Sequence, residues 1–427
     1  MRVIEFPNRN EWSSLLQRPS FDNSELIAKV QSVLNEVKLG GDDAVKKFTN
    51  SFDGVLLDQF KVSSEEINEA ISLVPNELKN AIELAAKNIQ RFHEKQLTDV
   101  EVIETMPGIN CWRKSVGIEK VGLYIPGGTA PLFSTILMLG VPAKIAGCKQ
   151  IVLCSPPDKN GKLHPAILYT AQLIGITNIF KIGGVQAIAA MAYGTETVPQ
   201  VYKIFGPGNQ YVTCAKQLIQ QAGIAIDMPA GPSEVCVFAD NSANPAFVAA
   251  DLLSQAEHGV DSQVLLVSTS KPFVESVIAS VESQLAALPR KEIALKALAN
   301  SKAIIVENIN EGIDLVNEYA AEHLIIVCEN DEAISEKIIN AGSIFLGNYS
   351  PESVGDYASG TNHTLPTNGY AKAYSGVSID SFVKKITFQK LSKKGLENIG
   401  TAVEIMASAE GLDAHKNAVS IRLKDSH

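Results

Sequence analysis

Apolar residues after position 24 recur at Leu26, Ile27, Val30, Val33, Leu34 and Val37, the spacing of a helix that buries one stripe, until Gly40-Gly41 interrupts it. A second helix is predicted over roughly 76–93. Between about 120 and 238 the texture changes to short apolar runs: Val121–Ile125, Ile151–Cys154, Asn178–Ile182, Tyr202–Phe205 and Glu234–Phe238. Most are followed by small-residue helical stretches, the pattern of a parallel α/β sheet covered on both faces. The texture returns at Gln263–Val267, Ala303–Val306, His323–Val327 and Ser343–Leu346, which predicts a second α/β unit. From 347 to 376 it breaks at Gly347, Pro351, Gly355, Gly360, Pro366, Gly369 and Gly376. That predicts a long irregular loop, and such loops in compact proteins are functional or disordered. A last helix, with Leu396, Ile399, Val403 and Met406 on one face, ends at Gly411.

One further helix is marked by Asn244 as N-cap, Pro245 at its first position, apolar residues at Phe247, Val248, Leu252 and Leu253, and Gly259 as its stop. Gln255 and His258 fall three apart near its end and therefore share a face. An amide oxygen and an imidazole nitrogen placed so can converge on a divalent metal. Residues of these types at a helix end also serve as caps or solvated groups, and the spacing alone leaves both readings open.

A chain of 427 residues exceeds one ordinary core and suggests about two to four domains. The net charge of -10, with no dense Lys/Arg cluster, argues against a nucleic-acid partner; Lys384-Lys385 and Lys393-Lys394 read as solvated faces. The cysteines Cys111, Cys148, Cys154, Cys214, Cys236 and Cys328 form no Cys-x-x-Cys pair and read as free thiols of a reducing compartment. No signal-peptide core follows Met1 and no apolar run reaches the roughly 20 residues of a membrane span, so the expectation is a cytoplasmic protein without a membrane partner.

Three strand-to-helix junctions carry glycine pairs: Gly127-Gly128, Gly183-Gly184 and Gly206-Pro-Gly208. Glycine allows a sharp turn and a close approach of backbone to ligand, and a following helix offers free N–H groups to a phosphate. None is a Gly-x-Gly-x-x-Gly or a P-loop, and tight turns need glycine whatever they bind. With Tyr124, Gln186 and Asn209 placed beyond the strand ends, three in one unit favour a nucleotide.

Of the 7 histidines, His93 and His164 lie in ordinary contexts and His427 is the last residue. The others sit beside carboxylates or amides. Glu322-His323 falls at a helix-to-strand junction, an acid and an imidazole that can divide two proton transfers, although regular strand alternation would send them to opposite faces. Asp356 and His363 lie in the Gly/Pro-rich loop, and Glu410 and His415 flank Gly411. Each alone suits a surface or capping role, but together the histidines gather in irregular polar segments suited to sites.

Several long segments, in order, carry a resemblance: Val121–Thr135, Gly206–Asn209, Asp227–Glu234, Leu253–Gly259, Ala321–Leu324 and Ala409–Leu412. Over nearly the whole chain the sequence resembles the histidinol dehydrogenase family. The resemblance implies a zinc-dependent, NAD-linked oxidation of L-histidinol through L-histidinal to L-histidine, the end of histidine biosynthesis. It implies Gln255, His258, Asp356 and His415 as zinc ligands, one ion per subunit, and Glu322 and His323 as the catalytic acid/base pair. Ser233, His363 and Glu410 are implied as substrate contacts beside His323 and the ligands, and Tyr124, Gln186 and Asn209 as NAD contacts. Ala321 stands where many members have proline.

The implied architecture is a homodimer of two Rossmann-like parallel-sheet domains with small helical additions at both ends. Residues 1–23 form the first addition, 24–119 with 237–378 the domain of the metal and catalytic residues, 120–236 the NAD domain, and 379–427 a helical segment reaching the partner's active site. His323 is expected to act as base and Glu322 to activate water for aldehyde hydration. The runner-up chemistry is a zinc hydrolase acting on an amide or ester; a non-catalytic nucleotide binder would need no metal set. Zinc and manganese both suit these N/O ligands.

Overall fold

The computed structural model describes residues 1–18, 24–127 and 131–424; Gly128 and His427 lie outside the described residues. Two parallel sheets form its centre. One has five strands in the order Asn178–Lys181, Gln150–Ser155, Lys120–Tyr124, Lys203–Phe205, Ala225–Ile226. The other has six, in the order Arg2–Glu5, Lys302–Ile305, Gln263–Ser268, Glu234–Ala239, His323–Val327, Ser343–Leu346. With the edge strand Arg2–Glu5 set aside, both follow the same doubly wound plan, in which the strand earliest in sequence is central and the order reverses beside it. That reversal lies between Lys120–Tyr124 and Lys203–Phe205 in one sheet, and between Glu234–Ala239 and His323–Val327 in the other.

The predicted α/β texture is therefore right, and the strands and the Asn244-capped helix, Pro245–Ala256, fall within a residue or two of the expected bounds. The assignment of segments to units departs from expectation. Glu234–Ala239 is the hinge strand of the six-stranded sheet, paired with Gln263–Ser268 and His323–Val327, and not a member of the unit before it. Its all-buried composition, identical in kind to that of its neighbours, says nothing about which sheet it enters.

The long N-terminal helix runs Ser24–Phe48 with a break at Gly41, whose φ of 51° kinks it at the expected point. Val30, Val33, Leu34 and Val37 pack with Val152, Cys154 and Phe180, so this helix covers the five-stranded sheet instead of the six-stranded one. Val62 and Ala70 join the same sheet's other face, and Ile82, Ala85 and Ile89 of the helix Asn76–Glu94 pack on Leu137 and Met138. Residues 2–5, expected in a separate helical segment, instead extend the six-stranded sheet as an edge.

The C-terminal addition is not purely helical either. After a short helix, Ile379–Phe382, it contains the strand Val383–Leu391, which pairs antiparallel with Ile109–Gly117 in a three-stranded sheet, and it continues as helices Lys393–Ala409 and Asp413–Lys424. The segment 347–376 contains a short helix, Glu352–Tyr357. All six cysteines are free, and all but Cys111 are buried. Among the described residues no helix is long and apolar enough to cross a membrane.

Candidate active site

The amino ends of the two strands at the six-stranded reversal bring the chemistry together. His323 opens one strand and pairs in register with Val235 on the other, which places Glu322 beside Ser233 and Glu234. Glu322 precedes the regular strand, after the left-handed Ala320 (φ 54°), so the alternation expected to separate it from His323 has not begun. The Glu322 carboxylate accepts the Glu234 N–H at 2.9 Å and lies 3.7 Å from His323 Nδ1.

Two further carboxylates close on the same ring. Asp356 Oδ1 is 3.3 Å from His323 Nε2 and Glu352 Oε2 is 3.9 Å from Nδ1, both supplied by the short helix in the Gly/Pro-rich segment. Glu352 Oε1 accepts from the Ser254 hydroxyl at 2.7 Å. Gln255, fully buried, satisfies both neighbours when its amide nitrogen is set towards the same oxygen at 3.1 Å and its oxygen towards the Glu234 N–H at 2.9 Å, a donor then shared with Glu322. His363 Nδ1 donates to the Asp356 carbonyl at 2.9 Å, and its Nε2 lies 3.1 Å from Thr135 Oγ1. Because Thr135 belongs to the helix following Lys120–Tyr124, the site lies where the two units meet.

Burial opposes the charge on His323, but Glu322, Asp356 and Glu352 together outweigh it and push its pKa up to about 10. Burial lifts Glu322 to about 8 against the pull of His323, and lifts Glu352 to about 7. Burial also works to raise Asp356, yet His323 and the nearby His363 and His258 hold it below its ordinary value. His258 opens to solvent at the rim, but the surrounding protein lowers its proton affinity, as burial lowers that of His363.

A divalent cation suits this electrostatics. Three carboxylates face one imidazole, and both His323 nitrogens and Glu352 Oε2 are buried without an aligned hydrogen bond. Gln255, His258 and Asp356 offer an amide oxygen, an imidazole and a carboxylate, a borderline-hard donor set that fits zinc with one ligand wanting. Among the described residues no three His, Cys, Asp or Glu side chains are gathered around a common point for an ion. Glu410, which caps the helix Lys393–Ala409, and His415 on the following helix are exposed, and among the described residues no hydrogen bond or ion pair joins them to this cluster.

The expected nucleotide contacts lie at the carboxyl edge of the five-stranded sheet. Tyr124 ends its strand and its hydroxyl accepts the Gly184 N–H at 3.1 Å. Gln186 is buried, donates to Asp53 at 3.2 Å and leaves its carbonyl oxygen without a partner. Asn209 caps the helix Gln210–Gln220 by accepting from Tyr211 and Val212 N–H. Gly206, at φ 127°, lets the chain pass so close to the Tyr124 carbonyl that any Cβ would collide. A cavity of about 580 Å³ opens nearby, lined by Asp53, Gly127, Pro131, Pro156, Lys162 and His164, and it does not touch Glu322 or His323.

Comparison with known proteins fixes the family. The histidinol dehydrogenase family model matches residues 16–423. This chain belongs to the histidinol dehydrogenase family. A histidinol dehydrogenase of Bacteroides thetaiotaomicron is 62% identical over 99% of both chains, and that of Colwellia psychrerythraea is 51% identical over 97% of this chain and 96% of its own. The crystal structure of histidinol dehydrogenase from Elizabethkingia anophelis superposes with a TM-score of 0.98 at 58% identity, covering 100% of this chain and 98% of that one. Membership makes the chain an oxidoreductase enzyme of histidine biosynthesis.

Glu352, Thr135 and Arg18 were missed by sequence reasoning. Glu352 lies in a stretch whose glycines and prolines hide a helix, and Thr135 lies in a quoted motif but carries no distinguishing spacing. Arg18 grips Glu234 through two hydrogen bonds, at 2.6 and 2.8 Å, and stacks over Tyr319.

Proposed function

We propose that the protein oxidises L-histidinol to L-histidine through bound L-histidinal, using NAD and zinc, as a cytoplasmic homodimer. The observation that carries this reading is the buried His323, ringed by Glu322, Glu352 and Asp356 and facing the nucleotide-type unit, in a chain of this family. Gln255, His258 and Asp356 would hold the metal, with His415 of a second subunit as fourth ligand. NAD, beside Tyr124, Gln186 and Asn209, supplies the hydride acceptor twice per substrate, and zinc supplies positive charge that orients and polarises the substrate.

The chain's own residues move the protons. His323 Nε2 accepts the alcohol proton as the first hydride departs. Glu322, its carboxylate aimed by the Glu234 N–H, activates water to attack the aldehyde carbon. The gem-diol then loses its second hydride with base assistance. Ser233, His363 and Glu410 line the substrate. Asp356, 3.3 Å from His323 Nε2, would be shared between the ring and a bound cation.

Ile405, Met406 and Ile421 on the C-terminal helices are each more than half exposed, and a second subunit would cover them while receiving Glu410 and His415. The test is a steady-state assay with L-histidinol and NAD, counting cofactor reduced per substrate consumed. Two is the expected ratio. A ratio of one would confine the enzyme to the alcohol step, and hydrolysis of an ester without cofactor reduction would favour the zinc-hydrolase reading.

A further inference from the structure

The glycine turn at 206–208 is held by an ion pair that takes no part in the chemistry above. Asp227 follows the edge strand Ala225–Ile226, and its Oδ2 accepts the Gly206 N–H at 2.8 Å. Its Oδ1 lies 2.5 Å from Nζ of Lys216, which belongs to the helix Gln210–Gln220. The same Nζ donates to the Gly206 carbonyl at 2.7 Å. Both backbone polar groups of Gly206 are thus bound by two side chains that are also bound to each other, a closed ring of contacts. Those side chains are only 6% and 1% exposed. A buried pair is a costly route to stability, since well-packed apolar side chains of similar volume serve as well or better. What charge adds is direction. Gly206, at φ 127°, has no side chain to fix its own backbone, and the two bonds fix it on either side of the Cα. It also packs directly on the Tyr124 carbonyl, so the turn and the strand that presents Tyr124 are set against each other. Among the described residues the N–H groups of Gly208, Asn209 and Gln210 have no acceptor, so the turn is fixed while the donors after it stay open to a ligand.

We propose that Lys216 and Asp227 are positioning residues for the cofactor, locking Gly206 so that the turn and Asn209 stand ready for the dinucleotide before it binds. The inference rests on the reading of this edge as the NAD site. A mobile glycine turn has to be ordered by its ligand, which weakens binding, whereas a turn fixed in advance spares the ligand that cost. Both side chains act through Gly206, so their effect falls on NAD binding and not on turnover once NAD is bound.

The discriminating variant combines Lys216→Met with Asp227→Asn. It removes both charges together and leaves no lone buried ion. The new amide can still accept the Gly206 N–H, but Met has no donor for the Gly206 carbonyl. The unfolding temperature and kcat at saturating NAD should stay close to the parent's, while KM for NAD and Kd for NADH, read by fluorescence, rise about tenfold. KM for L-histidinol should not change. A pair that served stability alone would lower the unfolding temperature and leave NADH binding untouched, and that result would overturn the proposal. Hydrogen exchange at the Gly206 amide of the cofactor-free parent, resolved by fragment-ion mass spectrometry, needs no variant. It should already be slow and change little on addition of NADH; an amide that exchanges freely until NADH is added would equally overturn the proposal. A parent that binds no NADH would instead overturn the nucleotide reading of this edge, and the exchange measurement would still decide whether the turn is fixed in advance.

Discussion

The two parallel sheets share a strand order and use opposite ends of the same pair of strands. In the five-stranded sheet the reversal point offers its carboxyl edge, where Tyr124 and Asn209 stand around the glycine turn at 206–208. That is the usual location for a ligand in a doubly wound sheet. In the six-stranded sheet the carboxyl edge is closed: Asp240 accepts the Glu329 and Ser242 N–H groups and bonds back to Val327, so its polar groups are spent on one another. The amino edge of that pair instead carries Ser233, Glu234, Glu322 and His323. A strand order thus predicts where a reversal lies, while side chains and loops decide which end of it works.

The largest expected effect separates the two ends chemically. Glu322→Gln should lower L-histidine formation by roughly 10²–10⁴-fold, while the alcohol step, which needs only His323, still reduces one NAD for each L-histidinal formed. Equal loss of both half-reactions, followed by product analysis, would count against giving Glu322 the water. Sharing of the amino-edge site between subunits is tested by mixing and reassembling inactive Glu322→Gln and His415→Asn chains. The reassembled mixture should regain about a quarter of parental activity, since about half of its dimers are hybrids and each hybrid holds one intact site of two; no recovery would place His415 outside the partner's site.

The carboxyl edge is probed by smaller changes. Gly206→Ala should destabilise the protein by about 1–3 kcal/mol and raise the KM for NAD, as read by thermal unfolding and kinetics, because the new Cβ meets the Tyr124 carbonyl. The smallest effect belongs to Asp53, which burial lifts to about 6 beside Gln186. Its folded form holds the proton more tightly than the unfolded one, so its contribution falls as pH rises from the ordinary carboxylate range through about 6. Asp53→Asn should therefore stabilise at pH 8 by up to about 1 kcal/mol, discounted for partial exposure, and make no difference at pH 3. An equal effect at both pH values would contradict the burial argument.

Much of this was legible in the sequence because local chemistry decided it. Asn244-Pro245 and Gly259 bracket the helix bearing Gln255, and uninterrupted apolar runs mark buried parallel strands wherever they occur. What was not legible is which surfaces those elements meet. Glu234–Ala239 reads like the strands before it and pairs with those after it, and Val30 to Val37 give a buried stripe without naming the sheet that buries it. Glu352 was hidden for a related reason, since its role depends on facing His323 across the fold and not on any neighbour in sequence. The Glu322-His323 pair was visible, but the turn at Ala320 that lets both face one site was not.

The division of labour between the two edges is tested most directly by NADH binding, followed by fluorescence, in a pair of variants measured beside their turnover. His323→Asn should bind NADH within about twofold of the parent and lose turnover by roughly 10²–10⁴-fold. Asn209→Asp keeps an acceptor that caps the helix Gln210–Gln220 but sets a negative charge against the cofactor's phosphates, and should weaken NADH binding about tenfold with little loss of stability. NADH binding abolished by His323→Asn, or left intact by Asn209→Asp, would contradict the account.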